Sequence, residues 1–165
     1  MPTDLQTTNM EKVPGRLDSQ SDWAYASHDE DARFPSDWYR AMLASVATLA
    51  GDQEVIHVQP IPTVPPGDQD SFEVSAGIFT HRRYIEVTAR KAGRADTVEW
   101  SACARSLSEV AAVGVTAQPT NDLWPNLQQA TVRFEDGAEV PLTAHRWSGN
   151  DLSALIKALL DRLDK

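Results

Sequence analysis

Two alternating stretches joined by a short turn decide the fold: residues 72–90 read FEVSAGIFTHRRYIEVTAR. Apolar side chains occupy every second position on either side of the turn, namely Phe72, Val74, Ala76 and Ile78, then Ile85, Val87 and Ala89. This period of two predicts a pair of half-buried strands. The turn near residues 80–81 is short, so the two strands should pair antiparallel.

The same alternation continues on both sides of this hairpin. It predicts five more strands, over residues 54–61, 97–102, 107–117, 130–134 and 140–144. Glu135-Asp136-Gly137 predicts a tight turn between the last two, since glycine tolerates a positive φ. The longer connections are proline-rich, over residues 60–67 and 118–128.

Two helices are expected at the ends of the strand region. Residues 36–50 follow a possible cap, Pro35-Ser36-Asp37, and carry an apolar stripe of Trp38, Met42, Leu43, Val46 and Leu49 before Gly51. The final helix has the clearest pattern, with Leu152, Leu155, Ile156, Leu159, Leu160 and Leu163 on one side. Such a face should cover the open end of a bent sheet.

The predicted fold class is therefore α+β: a seven-stranded bent antiparallel sheet or barrel capped by a C-terminal α-helix, with an additional N-terminal helix. This order resembles the bacterial members of the pleckstrin-homology-like (PH-like) superfamily. The resemblance rests on FTHRRYI at 79–85 and TVRFEDGAEVPL at 131–142, and it covers about residues 53–164. The helix at 36–50 lies outside the core of that superfamily, and an α+β sandwich built from the same elements is the rival architecture.

Residues 1–35 differ in composition from the rest, with seven acidic residues against three basic ones and no sustained apolar period. We expect a flexible acidic segment here, followed by a single domain over residues 36–165. Removing the segment should then leave the thermal midpoint nearly unchanged. Trp23 and Tyr25 are the two aromatic residues that could fasten it to the domain.

Composition excludes several classes of function. The 165 residues include 15 Lys and Arg against 24 Asp and Glu, a net charge of -9, which argues against nucleic-acid binding. The single cysteine, Cys103, cannot form an internal disulfide and is predicted to be a small buried residue. The polar first twenty residues lack a secretory-signal pattern, so a cytoplasmic location is expected.

The resemblance suggests phosphoinositide binding, which the sequence disfavours. Lipid-binding members of the superfamily use clustered cations in the first hairpin, here residues 54–80, and this stretch contains no lysine or arginine. We therefore expect no binding of phosphoinositides or anionic membranes. The four histidines are scattered, which predicts no metal site, and no motif implies a cofactor.

Two features could bind a protein or peptide partner. One is the loop after the fifth strand, where Leu123, Trp124 and Leu127 stand among polar residues. The other is a basic rim at the end of the third strand, formed by Arg90, Lys91 and Arg94. Arg82 and Arg83 should form a separate rim at its other end. Each could also be ordinary surface: the loop could fold over the sheet, and the cations could protect a strand edge.

No sequence motif brings together a nucleophile, an acid and a base, so the prediction is a non-enzymatic PH-like binding or scaffold module for a protein or peptide. A small enzyme whose site assembles only in three dimensions is the alternative. A further alternative is a domain regulated by its own acidic tail, with Asp29-Glu30-Asp31 held on the basic rim. The oligomeric state and the identity of the partner are left open.

Overall fold

The computed structural model describes residues 4–18, 21–27, 35–63, 66–67, 70–117, 128–143 and 149–164. The helices are α1 (Asp4–Leu17), α2 (Ser21–Ser27), α3 (Asp37–Ala50) and α4 (Gly149–Leu163). The strands are β1 (Val55–Ile61), β2 (Phe72–Thr80), β3 (Arg83–Lys91), β4 (Glu99–Ser106), β5 (Val110–Ala117), β6 (Gln128–Phe134) and β7 (Glu139–Thr143).

The seven strands form two antiparallel sheets. The first has the order β1-β2-β3-β4 and the second the order β5-β6-β7. The α+β class, the seven antiparallel strands and the C-terminal helix are thus confirmed. The single bent sheet or barrel is not, because the described strands of the two sheets do not close into one barrel.

A short 3-10 helix explains this separation. Residues Leu107–Glu109 turn the chain between β4 and β5, and the Ser106 side chain accepts a hydrogen bond from the Ser108 N–H. The Leu107 N–H donates to the Arg82 carbonyl over 2.9 Å, which holds the turn against the β2–β3 connection. The chain then leaves the first sheet and pairs with β6 instead of β4.

Each face of the first sheet packs against a different hydrophobic cluster. The outer cluster lies between this sheet and helices α1, α2 and α3, and it includes Val74, Ala76 and Ile78 of β2. The inner cluster joins Phe79 and Tyr84 to the second sheet and α4. β2 is therefore buried from Val74 to Thr80, not half-buried as its alternation predicted. The helices α1, α2 and α3 cover the alternating apolar face, and the second sheet with α4 packs against the face expected to meet water.

Part of the N-terminal segment that composition predicts to be flexible is described by the structure, namely residues 4–18 and 21–27. They form α1 and α2, and Val13, Leu17, Trp23 and Ala26 are buried in the outer cluster. Trp23, one of the two aromatic residues that could fasten the segment to the domain, does so for α2: its Nε1 donates to the Ser75 carbonyl over 3.4 Å. The side chain of Tyr25 and residues 28–34 lie outside the described part. Four apolar residues are enough to hold the two helices in place, because they pack against apolar side chains of β2 and α3.

Asn9 of α1 also completes the edge of the first sheet. Its Nδ2 donates to the Gln53 carbonyl over 2.9 Å, and its Oδ1 accepts the Val55 N–H over 3.0 Å. The Lys12 ammonium donates to the Val55 carbonyl. These contacts satisfy main-chain groups at the start of edge strand β1 that a sheet would otherwise leave open.

Helix α3 belongs to the core. Tyr39, Met42 and Val46 are buried, and Trp38 and Leu49 pack partly buried against the same cluster. The helix ends at Gly51, whose φ of 67° favours glycine. Ser36 makes no side-chain cap; its hydroxyl instead donates to the Ser27 carbonyl over 3.0 Å and so joins α2 to α3.

Helix α4 covers the inner cluster with four of its six predicted apolar residues. Leu152, Leu155, Ile156 and Leu159 are buried. Leu160 and Leu163 remain 41% and 40% exposed. The apolar face is wider than the surface beneath it, so part of it stays accessible near the end of the helix.

Candidate functional site

The five cations of residues 82–94 lie at two ends of β3, as predicted. Arg82 and Arg83 lie at the β2–β3 turn, and Arg90 lies seven residues further along the strand. At about 3.3 Å per residue, the two groups are about 23 Å apart and cannot grip one small anion. Arg83 donates through Nη1 to the Leu49 carbonyl, which fixes that side chain at the end of α3.

Acidic neighbours partly neutralise the basic rim. The Arg90 guanidinium contacts Glu99 Oε2 through Nε at 2.7 Å and Nη2 at 2.6 Å. The hydrogen bond to Glu99 raises the pKa of Arg90 further above its ordinary value. Arg94 Nε lies 3.7 Å from Asp70 Oδ2, and Lys91 is half-buried. The structure thus places these three residues together but beside acids, and a partner-binding role for them stays a prediction.

The aromatic loop lies outside the described residues. Leu123, Trp124 and Leu127 belong to residues 118–127, which connect β5 to β6. The loop leaves the second sheet at the Ala117–Gln128 pair. Its proposed role in binding therefore remains a prediction from sequence.

Two predictions about single side chains have different outcomes. His57 is a packing residue: its ring lies 6.2 Å from that of Phe79, and its Nε2 lies 3.3 Å from Gln59 Oε1. Cys103, predicted to be buried, is exposed. On β4, Trp100 and Ala102 face the outer cluster, and Cys103 takes the opposite face, where the second sheet does not extend over it.

A column of aromatic rings joins the two sheets. The rings of Phe79 and Tyr84 are 4.9 Å apart, and those of Tyr84 and Phe134 are 5.6 Å apart. The Arg105 guanidinium lies 5.3 Å from the centre of the Phe134 ring, and its Nη1 contacts Asp136 at 2.6 Å. The three rings belong to the inner cluster, in which they pack together with Val110 of β5 and the buried side chains of α4.

A groove of about 560 Å³ lies between the end of α4 and residues 107–110, where the 3-10 turn leads into β5. Leu107 and Val110 line one wall, and Leu159 and Leu163 line the other. Val115, further along β5, is 48% exposed although it occupies a position of the same parity as the core-packed Val113. The groove thus has an apolar base, with further apolar surface beyond it.

The strand that begins at this groove lies at the edge of its sheet. β5 is an edge strand, and among the described residues it pairs only with β6. Three of its exposed positions carry small side chains, Ala111, Ala112 and Gly114, and Val115 is the exposed residue that follows them. Another extended chain could therefore approach the strand closely enough for backbone hydrogen bonds.

The charges of the groove are few and mixed. Asp161 and Arg162 line its rim. Arg162 donates through Nη2 to the His81 carbonyl, which ties the end of α4 to the β2–β3 turn. The groove therefore shows no strong preference for either sign of charge.

This groove is not predicted by the sequence. Periodicity places all six apolar residues of α4 on one covering face and assigns Leu107 to a continuous strand. The width of the leucine stripe on α4 indicates an uncovered surface, because three short strands cannot cover a face of that width. Periodicity does not predict the direction in which the chain leaves the first sheet at the start of β5.

Comparison with known proteins gives little further guidance. No helix among the described residues has the length and apolar character needed to cross a membrane. No protein-family model matches the chain, and no curated protein matches it. Among solved structures, the chain is similar to the hSac2 domain from human phosphoinositide phosphatase Sac2, with a TM-score of 0.36 and 11% identity over 78% of this chain and 84% of that one. So distant a likeness leaves the function to be argued from the site itself.

Proposed function

We propose that this protein is a non-enzymatic PH-like binding module that holds an extended apolar peptide in the groove between β5 and α4. Support for the PH-like assignment comes from the element order, four antiparallel strands, three antiparallel strands and a final helix. The observation that carries the binding role is the combination of an open strand edge with uncovered apolar side chains beside it.

The peptide would bind first through its backbone. An extended segment laid beside β5 continues the second sheet by one strand, and its N–H and C=O groups pair with those of the edge. This mode needs small side chains on the receiving strand, and Ala112 and Gly114 meet that need. Backbone pairing alone is not selective, so side-chain pockets must supply the specificity.

Apolar peptide side chains would supply that specificity by packing against α4. Leu163 and Val115 are both exposed without a peptide, so covering them removes apolar surface from water. Each aliphatic or aromatic anchor fully buried in this way contributes about 1.5–3 kcal/mol before ordering costs. Two or three such anchors would give a weak, reversible complex of the kind expected for an adaptor.

The described N-terminal helices leave this groove accessible. α1 and α2 pack on the outer face of the first sheet, whereas β5 and α4 belong to the inner cluster. About half of the accessible lining of the groove is apolar, and its charged groups are one aspartate and one arginine, a composition that suits peptide binding. The partner class is therefore a protein segment that can become extended, and not an anionic lipid.

Selection from a displayed library of random peptides, followed by fluorescence anisotropy, tests the proposal. Two exposed leucines of α4 provide a matched pair: Leu163 lines the groove and Leu160 does not, although both are exposed to the same extent. We expect L163D to weaken binding of the selected peptides by at least about tenfold, or 1.4 kcal/mol, and L160D to leave it unchanged. Equal effects of the two substitutions, or no selected peptide, would contradict the proposal.

A further inference from the structure

The first sheet has an open edge along β4. Among the described residues, this strand pairs with β3 and with no other strand. The pairing runs without a bulge from Glu99 to Ser106, so the strand is regular along its whole length. Five of its eight residues are exposed and the other three are half-buried. The N–H and C=O groups of every second residue point away from β3, where the strand of another chain could accept and donate hydrogen bonds.

β4 lacks the protection that β1, at the opposite edge of the same sheet, has. Asn9 of α1 accepts the Val55 N–H at the start of β1, and Pro60 further along that strand has no N–H. Residues 100–104 at the centre of β4 read WSACA and contain neither a proline nor a charge. An uncharged, regular edge of this kind favours pairing with another strand.

The two ends of this uncharged stretch carry opposite charges. Glu99 precedes it and Arg105 follows it, and their odd positions place them on the same face of the strand as Cys103. Antiparallel pairing sets the start of one strand opposite the end of the other. A second copy of β4 would therefore bring its Arg105 opposite Glu99 and its Glu99 opposite Arg105, so a two-fold axis forms the complementary pair twice.

The same register also matches the uncharged side chains. It places Ala102 on the two-fold axis, opposite its own counterpart. Trp100, which is half-buried against the outer cluster, lies opposite Ala104, so a large side chain meets a small one. Ser101 lies opposite Cys103 on the other face. The central part of the edge is therefore complementary to itself in size as well as in charge.

Neighbouring registers lack this complementarity. A slip by one residue would set opposite faces of the two strands against each other. A slip by two residues places Arg105 opposite Thr97 in one direction and opposite Ser101 in the other, and neither of these residues is acidic. The charges of β4 therefore select one register.

Both charged side chains also have an ion pair within their own chain. Glu99 contacts Arg90 through Oε2, and Arg105 contacts Asp136 through Nη1. A guanidinium has five N–H donors and a carboxylate has two acceptor oxygens, so each group can serve two partners at once. The Glu99 side chain is 70% exposed and that of Arg105 is 36% exposed. The internal pairs thus orient the two charges without enclosing them.

From these observations we propose that two copies of this protein form a symmetric dimer by antiparallel pairing of their β4 strands about Ala102. The two four-stranded sheets continue as one sheet of eight strands. An interface of one strand pair is smaller than that of a permanent dimer, so the association is weak and reversible. The paired residues 99–105 do not line the peptide groove, so either proposal can fail without the other. Each dimer presents two grooves, which increases the avidity for a partner with two binding segments.

Sedimentation velocity on the full chain tests the proposal. Between about 10 µM and 1 mM, the sedimentation coefficient should rise from that of a monomer towards that of a dimer. Arg105→Glu should weaken the dimer at least about tenfold, and the combined change Glu99→Arg with Arg105→Glu should restore it. Arg133→Glu is the matched control, since Arg133 forms a similar exposed ion pair, with Glu139 on the second sheet, and should leave the dimer unchanged. A monomer at every concentration, or equal effects of Arg105→Glu and Arg133→Glu, would overturn the proposal.

Disulfide formation tests the register with all charges unaltered, and it decides the question if Arg105→Glu does not fold. The variant Ser101→Cys places a thiol opposite Cys103 of the second copy, which is exposed. Opposed residues of antiparallel strands have Cα atoms about 4.5–5.5 Å apart, within the range that a disulfide bridges. Mild oxidation should convert this variant to a covalent dimer, and adding Cys103→Ser should prevent it. No covalent dimer from Ser101→Cys, or an equal yield after Cys103→Ser, would refute the pairing about Ala102.

Discussion

Replacing Leu17 by alanine should destabilise the protein strongly, although this residue lies in a segment whose composition predicts flexibility. Leu17 is 0% exposed and belongs to the outer hydrophobic cluster. Large-to-small changes at such positions cost about 2–5 kcal/mol through lost burial and the cavity left behind. In a chain of this size that corresponds to a fall in Tm of about 4–20 °C.

Urea unfolding followed by circular dichroism measures this cost, and Glu11→Ala is the matched control. Glu11 lies on the same helix but is exposed, so its removal should change the free energy of unfolding by no more than about 0.5 kcal/mol. A flexible segment would instead make both variants equal to the unaltered protein. If Leu17→Ala falls within 0.5 kcal/mol of Glu11→Ala, α1 does not contribute to the core and the two-faced burial of the first sheet is refuted.

Three shorter predictions concern the rest of the fold. Gly77→Ala should cost about 1–3 kcal/mol, because the added Cβ would lie 2.7 Å from Cε2 of Tyr84, whereas Gly67→Ala, which meets nothing within 4 Å, should have little effect. Burial raises the pKa of Tyr84, because the folded protein favours the protonated phenol. The contribution of this side chain to the free energy of unfolding is therefore complete below about pH 10, and above that pH it falls by about 1.4 kcal/mol per pH unit. In the Tyr84→Phe variant, the free energy of unfolding should fall less steeply between pH 9 and 11 than in the unaltered protein, and an equal slope in the two proteins would contradict this. Arg90→Ala should cost no more than about 1 kcal/mol, because its ion pair with Glu99 is exposed, and a larger loss in thermal unfolding would show that the pair is structural.

Periodicity was sufficient to predict the seven strands and the helices α3 and α4 from the sequence. The hairpin at residues 72–90 pairs as its alternation predicts, with Ile78 opposite Ile85. The Glu135-Asp136-Gly137 turn also forms, with Gly137 at a φ of 86°. These features depend on local patterns, which a single sequence carries.

The features that the sequence did not predict depend on which surfaces of the fold pack against each other. The acidic composition of the first 35 residues hid Val13, Leu17 and Trp23, because a short apolar face inside a polar segment has no distinct period. The burial of Trp23 depends on a partner surface on β2 that is far away in sequence. Cys103 was mistaken for a core residue because its small neighbours do not show that β4 is an edge strand.

The candidate groove was missed for the same reason. Its walls come from residues 107–110 and 158–163, which are about fifty positions apart, and only the turn at Leu107–Glu109 brings them together. The residues that the sequence did suggest, Arg90, Lys91 and Arg94, form a rim, yet ion pairs with Glu99 and Asp70 reduce its charge. The spacing of residues in the sequence predicts neither the ion pairs that reduce the charge of the rim nor the approach of the two groove walls.

The proposed peptide site is tested most directly by intermolecular nuclear Overhauser effects between a selected peptide and the backbone of residues 110–115. The account predicts a regular series of backbone contacts along β5, as in a newly added strand, together with contacts from peptide side chains to Leu163. Contacts confined to the rim of Arg90, Lys91 and Arg94, with none along β5, would contradict it.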